Sequence, residues 1–138
     1  VTLVDTDGIA DSAKAEEKGF AAHLAALARA YAEAAVPSVT VTLGSSYGTA
    51  YTVMGSKALT GGVALALDRA KISAMPPQAA VAFLDEVKDE SRHAEIADAW
   101  AEKYASALEA AKSGHIDDIV DSAELRQRIG AALEMLCF

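Results

Sequence analysis

The residues at 44–48 form the first pattern whose types and spacing could do chemistry. Gly44, Ser46 and Gly48 spell Gly-x-Ser-x-Gly, the sequence of a nucleophile elbow, in which a serine on a strand-to-helix turn attacks an acyl carbon. The mechanism also needs an acid and then a histidine later in the chain. The residues in that order are Asp68 or Asp85, followed by His93 or His115. Because five residues match easily by chance, a serine hydrolase is the alternative and not the main hypothesis.

The same segment could act without a side-chain nucleophile. The backbone N–H groups of Gly48, Thr49 and Ala50 stand at the start of a predicted helix, where they could hold an oxyanion. Small residues there would let a ligand approach the backbone closely. The other interpretation is a turn that only packs, and the residues alone leave that choice open.

Metal chemistry is less favoured. His23, His93 and His115 lie far apart along the chain, which disfavours a zinc site. Asp5 and Asp7 belong to an Asp-x-Asp-Gly run, but no further acidic ligands follow it at the spacing of a calcium loop. We therefore interpret that run as a turn and expect no metal.

Composition bounds the remaining classes of function. With 138 residues, the chain can form one domain with a core. Hydrophobic residues make up 52% of it, but no apolar run approaches the ~18 residues of a membrane helix, so we expect no membrane insertion. The net charge of −8 argues against a nucleic-acid partner, which requires a basic patch. The single Cys137 allows no internal disulfide and favours a cytoplasmic protein.

Apolar periodicity predicts the elements that must position the turn. Alternation and short apolar runs predict strands at 1–4, 39–43, 63–67 and 70–75, and an extended piece at 115–120. Helical spacing, caps and prolines predict helices at 12–35, after Gly48, and at 78–87, 89–112 and 123–136, the first capped by Asp11 or Ser12. We expect 44–48 to be a tight turn and 58–62 a link. Since helices follow nearly every strand, the fold is α/β with a mostly parallel sheet, either doubly wound or a β-spiral.

Two of the predicted helices carry apolar stripes at helical spacing. The first stripe consists of Phe20, Leu24, Leu27, Ala28 and Tyr31. The stripe of the last helix consists of Leu125, Ile129, Leu133 and Leu136. We expect the four residues of the last helix to point inward.

Five segments, in this order, resemble the C-terminal carboxyltransferase domain of biotin-dependent acyl-CoA carboxylases and decarboxylases, of the propionyl-CoA, methylmalonyl-CoA and glutaconyl-CoA type. The segments are TLVDTDGI, GFAAHLAALARAYAEAA, VPSVTVTLGSSYGTAYTVMGSK, KISAMPPQAAVAFL and GHIDDIVDSAELRQRIGAAL. The resemblance runs nearly from end to end. It implies a crotonase-like spiral of β-β-α units that is truncated at its N-terminus, with residues 1–138 as one domain of a larger enzyme.

The resemblance also implies a function. Such a domain moves a carboxyl group between carboxybiotin, on a biotin carboxyl carrier protein, and an acyl-CoA. The site would be completed by an N-terminal carboxyltransferase domain or subunit, and a homo-oligomer is expected. The remaining alternative is a crotonase-like scaffold subunit without catalytic activity.

Carried over to this chain, the resemblance assigns the site residues. The oxyanion donors would be the N–H groups of Thr49 and Ala50, next to Gly48. The implied substrate-binding residues are Tyr47, Tyr51, Thr52, Met75 and Pro76. Two positions depart from the family, because Thr49 stands where a glycine is usual and Asp7 replaces a proline.

Overall fold

A computed structural model describes residues 1–10, 12–83 and 92–137. Its strands are β1 (Thr2–Thr6), β2 (Val39–Tyr47), β3 (Val63–Leu67), β4 (Lys71–Ser73) and β5 (Asp118–Val120). Its helices are α1 (Ala13–Glu17), α2 (Phe20–Glu33), α3 (Gly48–Val53), α4 (Lys57–Thr60), α5 (Pro77–Ala82), α6 (His93–Tyr104), α7 (Ala107–Lys112) and α8 (Leu125–Leu136). Among the described residues, no helix is both long and apolar enough to cross a membrane.

The five strands form one sheet, and every pairing between them is parallel. The strand order is β1-β2-β3-β5, and β4 pairs with β2. Strand β2 pairs with two other strands in succession: its residues 39–42 pair with β3, and its residues 45–47 pair with β4. Parallel neighbours need long crossover connections, usually helices, so the predicted α/β class with a parallel sheet is confirmed.

Strand β2 continues through the segment that we expected to be a tight turn. Val4 pairs with Thr42, whereas Thr6, only two residues further along β1, pairs with Ser46. The extra residues of β2 are absorbed as a bulge between two paired stretches. The predicted turn at 44–48 is therefore wrong, and the chain turns only at Gly48.

A side chain of β1 closes this bulge. The Asp5 carboxylate accepts a hydrogen bond from the Ser45 N–H at 2.9 Å. A Cβ added at Gly44 would lie 2.3 Å from Asp5 Oδ1, so glycine is needed here for close approach and not for a turn. Asp5, which we interpreted as a turn residue, thus belongs to the end of β1 and joins it to β2.

Different helices cover the two faces of the sheet. On one face, α8 packs against the buried Val39, Val41 and Leu65. The contacting residues of α8 include the four predicted to point inward, Leu125, Ile129, Leu133 and Leu136. On the other face, Ala107 and Ala110 of α7 join a cluster with Ala64, Ala66 and Ile72. The stripe predicted for the last helix is confirmed, and burial of this apolar surface is the main stabilising term.

The two longest predicted helices are each broken once. Gly19, at φ 73°, separates α1 from α2, and Ser12 caps α1 as predicted by accepting a backbone N–H of that helix at 3.2 Å. In the second, the Ser106 hydroxyl accepts a backbone N–H of α7 at 3.4 Å. The first break is therefore made by the left-handed backbone at Gly19, which gives α2 no side-chain cap, whereas the second is marked by the Ser106 cap, which satisfies a donor of the first turn of α7. Asp11 and residues 84–91 lie outside the described residues.

Other element bounds differ from the predictions by a few residues. Strand β1 extends to Thr6, β4 is limited to Lys71–Ser73, and the expected link holds the short helix α4. The stripe of α2 is covered only in part, because no residue of α2 is buried and Leu27 is 41% exposed.

Asp117 ties the loop before β5 to the rest of the sheet. Its carboxylate accepts hydrogen bonds from the Ala64 N–H of β3, at 2.9 Å, and from the Lys57 ammonium at the start of α4. Partial burial alone would raise the pKa of Asp117, but the Ala64 N–H and Lys57 hold that pKa below its ordinary 3.8. A carboxyl whose pKa is lowered by folding stabilises the protein above its unfolded pKa.

We expect this stabilisation to be lost as the pH falls below about 4 and through the folded pKa of Asp117. Asp117→Asn should lower the free energy of unfolding at neutral pH by about 1 kcal/mol, since the pair is partly exposed. The free energy of unfolding should also fall less steeply at acidic pH in this variant than in wild type, as measured by chemical denaturation at several pH values. Asp68→Asn is the control, because the Asp68 carboxylate accepts the N–H of the adjacent Arg69. An equal loss of stability at acidic pH in wild type and Asp117→Asn would contradict this role.

Candidate functional site

The site is built on the turn between β2 and α3. Gly48 takes φ 60°, a left-handed conformation that other L-residues adopt at a cost of roughly 1–2 kcal/mol. Tyr47 precedes α3 as its N-cap residue, and no side chain caps the helix. The N–H groups of a first helical turn have no partners within the helix. The turn therefore presents the N–H groups of Thr49 and Ala50 without a capping side chain.

The other end of α3 is fixed by buried polar contacts. The Thr40 hydroxyl of β2 donates to the Gly55 carbonyl at 2.6 Å, and the Ser56 hydroxyl donates to the Thr52 carbonyl at 2.8 Å. A Cβ added at Gly55 would lie 2.9 Å from Thr40 Oγ1 and 3.0 Å from the Tyr31 ring. This close packing holds α3 in place relative to β2, and so fixes the direction of its first turn.

A cavity of about 290 Å³ opens at the turn. Its lining residues are Asp7, Gly8, Ile9, Tyr47, Gly48, Thr49 and Pro76. A second cavity, of about 640 Å³, shares Asp7 and Tyr47 with the first and extends to Lys71 and Glu102, whose side chains form an ion pair at 2.6 Å. The ends of β1 and β2 thus meet at a cleft that is wide enough for a small ligand.

Tyr47 forms the wall between the two cavities. The residue is 7% exposed and packs against Ala101 and Ala105 of the α6 segment. Burial raises the pKa of the Tyr47 phenol above its ordinary 10.0, the Ser45 side chain lowers it by hydrogen bonding, and the charge of Asp7 raises it again. The phenol therefore stays protonated at neutral pH and can donate a hydrogen bond.

The structure brings together only some of the predicted site residues. Tyr47, Gly48, Thr49 and Pro76 line the 290 Å³ cavity. Ala50 is buried, at 2% exposed, and is not among the residues that line this cavity.

The other three predicted residues lie outside this lining. Tyr51 packs against the cluster of Ala64 and Ala66, in edge contact with the His115 ring. Thr52 is exposed on α3, and Met75 is 39% exposed. The cavity at the turn is therefore smaller than the predicted substrate-binding set.

The predicted nucleophile elbow is absent. Ser46 lies inside β2, pairs with Ile72 of β4 and is 2% exposed. An elbow needs its serine exposed on a strained turn, and positive φ is confined to glycine in the described part of the chain. Among the possible partners, His93 begins α6, His115 contacts the Tyr51 ring, and Asp85 lies outside the described residues.

Sequence reasoning overlooked the residues that β1 and α6 bring to the cleft. Asp7, Gly8 and Ile9 line the cavity at the turn, and Asp98 and Glu102 line the larger one. The replacement of a usual proline by Asp7 was the available signal for the first group. The sequence carries no such signal for the α6 residues, because their position at the cleft depends on tertiary packing. No group of three or more potential metal ligands occurs among the described residues.

Comparison with known proteins gives a family match over the whole site. The carboxyl transferase domain model matches residues 1–137. The carboxyltransferase subunit of propionyl-CoA carboxylase from Haloferax mediterranei is 37% identical over 142 residues, covering 99% of this chain and 28% of that protein. Methylmalonyl-CoA decarboxylase subunit alpha from Propionigenium modestum is 36% identical over 142 residues, with the same coverage of 99% and 28%. The chain thus spans less than a third of either relative.

Solved structures agree with the fold. A structure of transcarboxylase 12S, described as a hexamer assembly with methylmalonyl-coenzyme A and methylmalonic acid bound, has a TM-score of 0.89 and 31% identity, covering 98% of this chain and 26% of that chain. The beta subunit of geranyl-CoA carboxylase from P. aeruginosa, at 24% identity, has a TM-score of 0.81 and supports the fold alone. The expected crotonase-like α/β architecture is confirmed.

Proposed function

The chain belongs to the carboxyl transferase domain family, and we propose that residues 1–138 form the C-terminal carboxyltransferase domain of a biotin-dependent acyl-CoA carboxylase or decarboxylase. The observation that supports this proposal is the cavity at the Gly48 turn, whose lining includes Gly48 and Thr49 at the start of α3, where no side chain caps the helix. A donor array of this kind needs no side-chain nucleophile. That fits a site in which the only buried serine of β2, Ser46, lies away from the cavity lining.

In this proposal, Gly48, Thr49 and Ala50 are the catalytic residues, and they act through the backbone. Gly48 supplies the left-handed turn, and the N–H groups of Thr49 and Ala50 donate to an oxygen on which negative charge develops. Carboxybiotin, when bound, supplies the carboxyl group and a ureido oxygen that accepts such donors. Preorganised donors favour the charged state because they need not reorient during the reaction.

The residues at the turn fit this group. The 290 Å³ cavity matches the lower end of small-ligand sites. Its lining includes Thr49, Tyr47 and Pro76. Tyr51, Thr52 and Met75 are proposed to contact the acyl-CoA on the far side of α3 and after β4.

Asp7 is the chain's own departure from the family and lines the same cavity. Its negative charge should repel an anionic ligand, so Asp7→Asn should strengthen binding of carboxybiotin by about threefold to tenfold. The gain should shrink as ionic strength rises, because salt screens exposed charges. The measurement is the KM for carboxybiotin at several salt concentrations.

A matched ligand separates charge from shape in that experiment. Biotinamide carries the same ring without a carboxylate, so Asp7→Asn should leave its dissociation constant unchanged. Equal gains for the neutral and the anionic ligand would contradict the electrostatic role of Asp7.

The domain is proposed to work with other components. These are an acyl-CoA substrate, a biotin carboxyl carrier protein, and an N-terminal carboxyltransferase domain or subunit that holds the acyl-CoA thioester. Assembly as a cytoplasmic homo-oligomer completes the proposal, and a hexamer is described for the related transcarboxylase 12S.

The serine hydrolase alternative makes an opposite prediction. Because Ser46 is 2% exposed inside a strand, a fluorophosphonate probe should not label the protein at this residue. Labelling is measured by mass spectrometry on wild type and Ser46→Ala. Labelling of wild type that disappears in Ser46→Ala would support the serine hydrolase alternative.

The test of the proposed function uses the full-length protein that contains this chain. Transfer of a labelled carboxyl group from methylmalonyl-CoA to free biotin, which leaves propionyl-CoA and carboxybiotin, should exceed the rate without protein. Absence of transfer, together with absence of biotin and acyl-CoA binding by calorimetry, would favour the scaffold alternative.

A further inference from the structure

A small, partly open cavity lies between β2 and α3. It offers about 20 Å³ of space to a water-sized sphere, and its lining includes Thr42 and Ser46 of β2 and Tyr51 and Met54 of α3. It shares no lining residue with the cavity at the Gly48 turn. The cavity is therefore a separate feature beneath the helix that begins at the proposed site.

Two hydroxyl groups face this cavity without a protein partner. Thr42 is 5% exposed and Ser46 is 2% exposed, and no described residue hydrogen-bonds to either hydroxyl oxygen. The neighbouring Thr40 differs, because its hydroxyl donates directly to the Gly55 carbonyl at 2.6 Å. Fully enclosed side-chain polar atoms that lack a partner are absent from the described residues, so each of the two oxygens keeps some accessible surface, and both residues line this cavity.

A buried hydroxyl without a hydrogen bond costs roughly 1–3 kcal/mol. A cavity that can hold at least ~10–15 Å³ of probe volume and offers two to four polar partners is a site for a water molecule. This cavity meets both conditions. We propose that it holds one ordered water molecule, hydrogen-bonded to the hydroxyls of Thr42 and Ser46.

The water gives Ser46 a role that its sequence pattern did not suggest. Each hydroxyl can donate or accept, so one water can bond to both and keep further capacity. Tyr51, on α3, lines the same cavity, and its phenol offers a third group. The water thus fills the contact between the strand that leads into the turn and the helix that leaves it.

A crystal structure of the full-length protein at atomic resolution tests the proposal, together with Thr42→Val, which keeps the shape and removes the hydroxyl. We expect a water within about 3 Å of both oxygens. We also expect Thr42→Val to lose this water and to lower the thermal midpoint by about 2–4 °C. Thr2→Val is the control, because it removes a hydroxyl that bonds to the Tyr31 hydroxyl and does not line this cavity, so the water should remain.

The same two experiments can also overturn the proposal. A cavity without water, or with a water bonded to only one of the two hydroxyls, overturns the proposal. So does a midpoint that is unchanged or higher in Thr42→Val, because valine then relieves an unpartnered hydroxyl.

Discussion

Replacing Thr49 with proline is expected to lower kcat for carboxyl transfer by about 10²–10³-fold in the full-length enzyme. Proline removes the Thr49 N–H, and loss of one oxyanion donor has an effect of that size. The helix should survive, because Thr49 lies in the first turn of α3, where the N–H has no intrahelical partner and the φ of proline suits a helix. The measurement is steady-state transfer of a labelled carboxyl group to free biotin.

The control for this variant is Thr49→Gly, which keeps the N–H and restores the residue usual in the family. It should retain most of the kcat, and circular dichroism of both variants should match wild type. Full activity in Thr49→Pro would contradict the assignment of this N–H. Equal losses in both variants would point to the threonine side chain instead.

The largest expected effect on stability is that of Gly62→Ala. A Cβ added at Gly62 would lie 2.2 Å from the Ser38 carbonyl oxygen and 2.9 Å from the Ser38 carbonyl carbon. Ser38 leads into β2, and its carbonyl accepts the Val63 N–H at 3.0 Å. The added carbon would therefore clash with a fixed backbone carbonyl, and no change of rotamer relieves the contact. We expect a loss of about 3 kcal/mol in the free energy of unfolding, measured by chemical denaturation.

Gly130→Ala is the matched control for that substitution. Gly130 lies in α8, and an added Cβ there meets nothing within 4 Å. Alanine is favoured over glycine inside a helix by roughly 0.5–1 kcal/mol, so this variant should be more stable than wild type. A Gly62→Ala protein as stable as wild type would contradict the close approach at Ser38.

The sequence predicted the parts of the fold that depend on local pattern. Strand β3 has the predicted bounds, 63–67, because an apolar run between turn residues specifies a buried strand. The residues of α8 that point inward were predicted correctly, because apolar residues at helical spacing lie on one face of the helix. Gly48 was also predicted to lie in the turn before α3, since only glycine readily adopts the left-handed φ of that turn.

The errors arose where distant residues decide the local structure. Gly44 looked like a turn residue, yet it packs against Asp5, which is 39 positions earlier and whose carboxylate bonds to the Ser45 N–H. Ser46 looked like a nucleophile, and its burial depends on β1 and β4 pairing on both sides of it. Asp7 reaches the cavity only because β1 ends beside β2. None of these contacts leaves a periodic trace in the sequence.

The backbone-donor account of the Gly48 turn is tested most directly by a crystal structure of the full-length protein with biotin bound. The account predicts that the ureido oxygen lies about 3 Å from the backbone nitrogen of Thr49 or Ala50, inside the cavity lined by Gly48 and Pro76. Biotin bound elsewhere, or held at its ureido oxygen only by side chains, would contradict it.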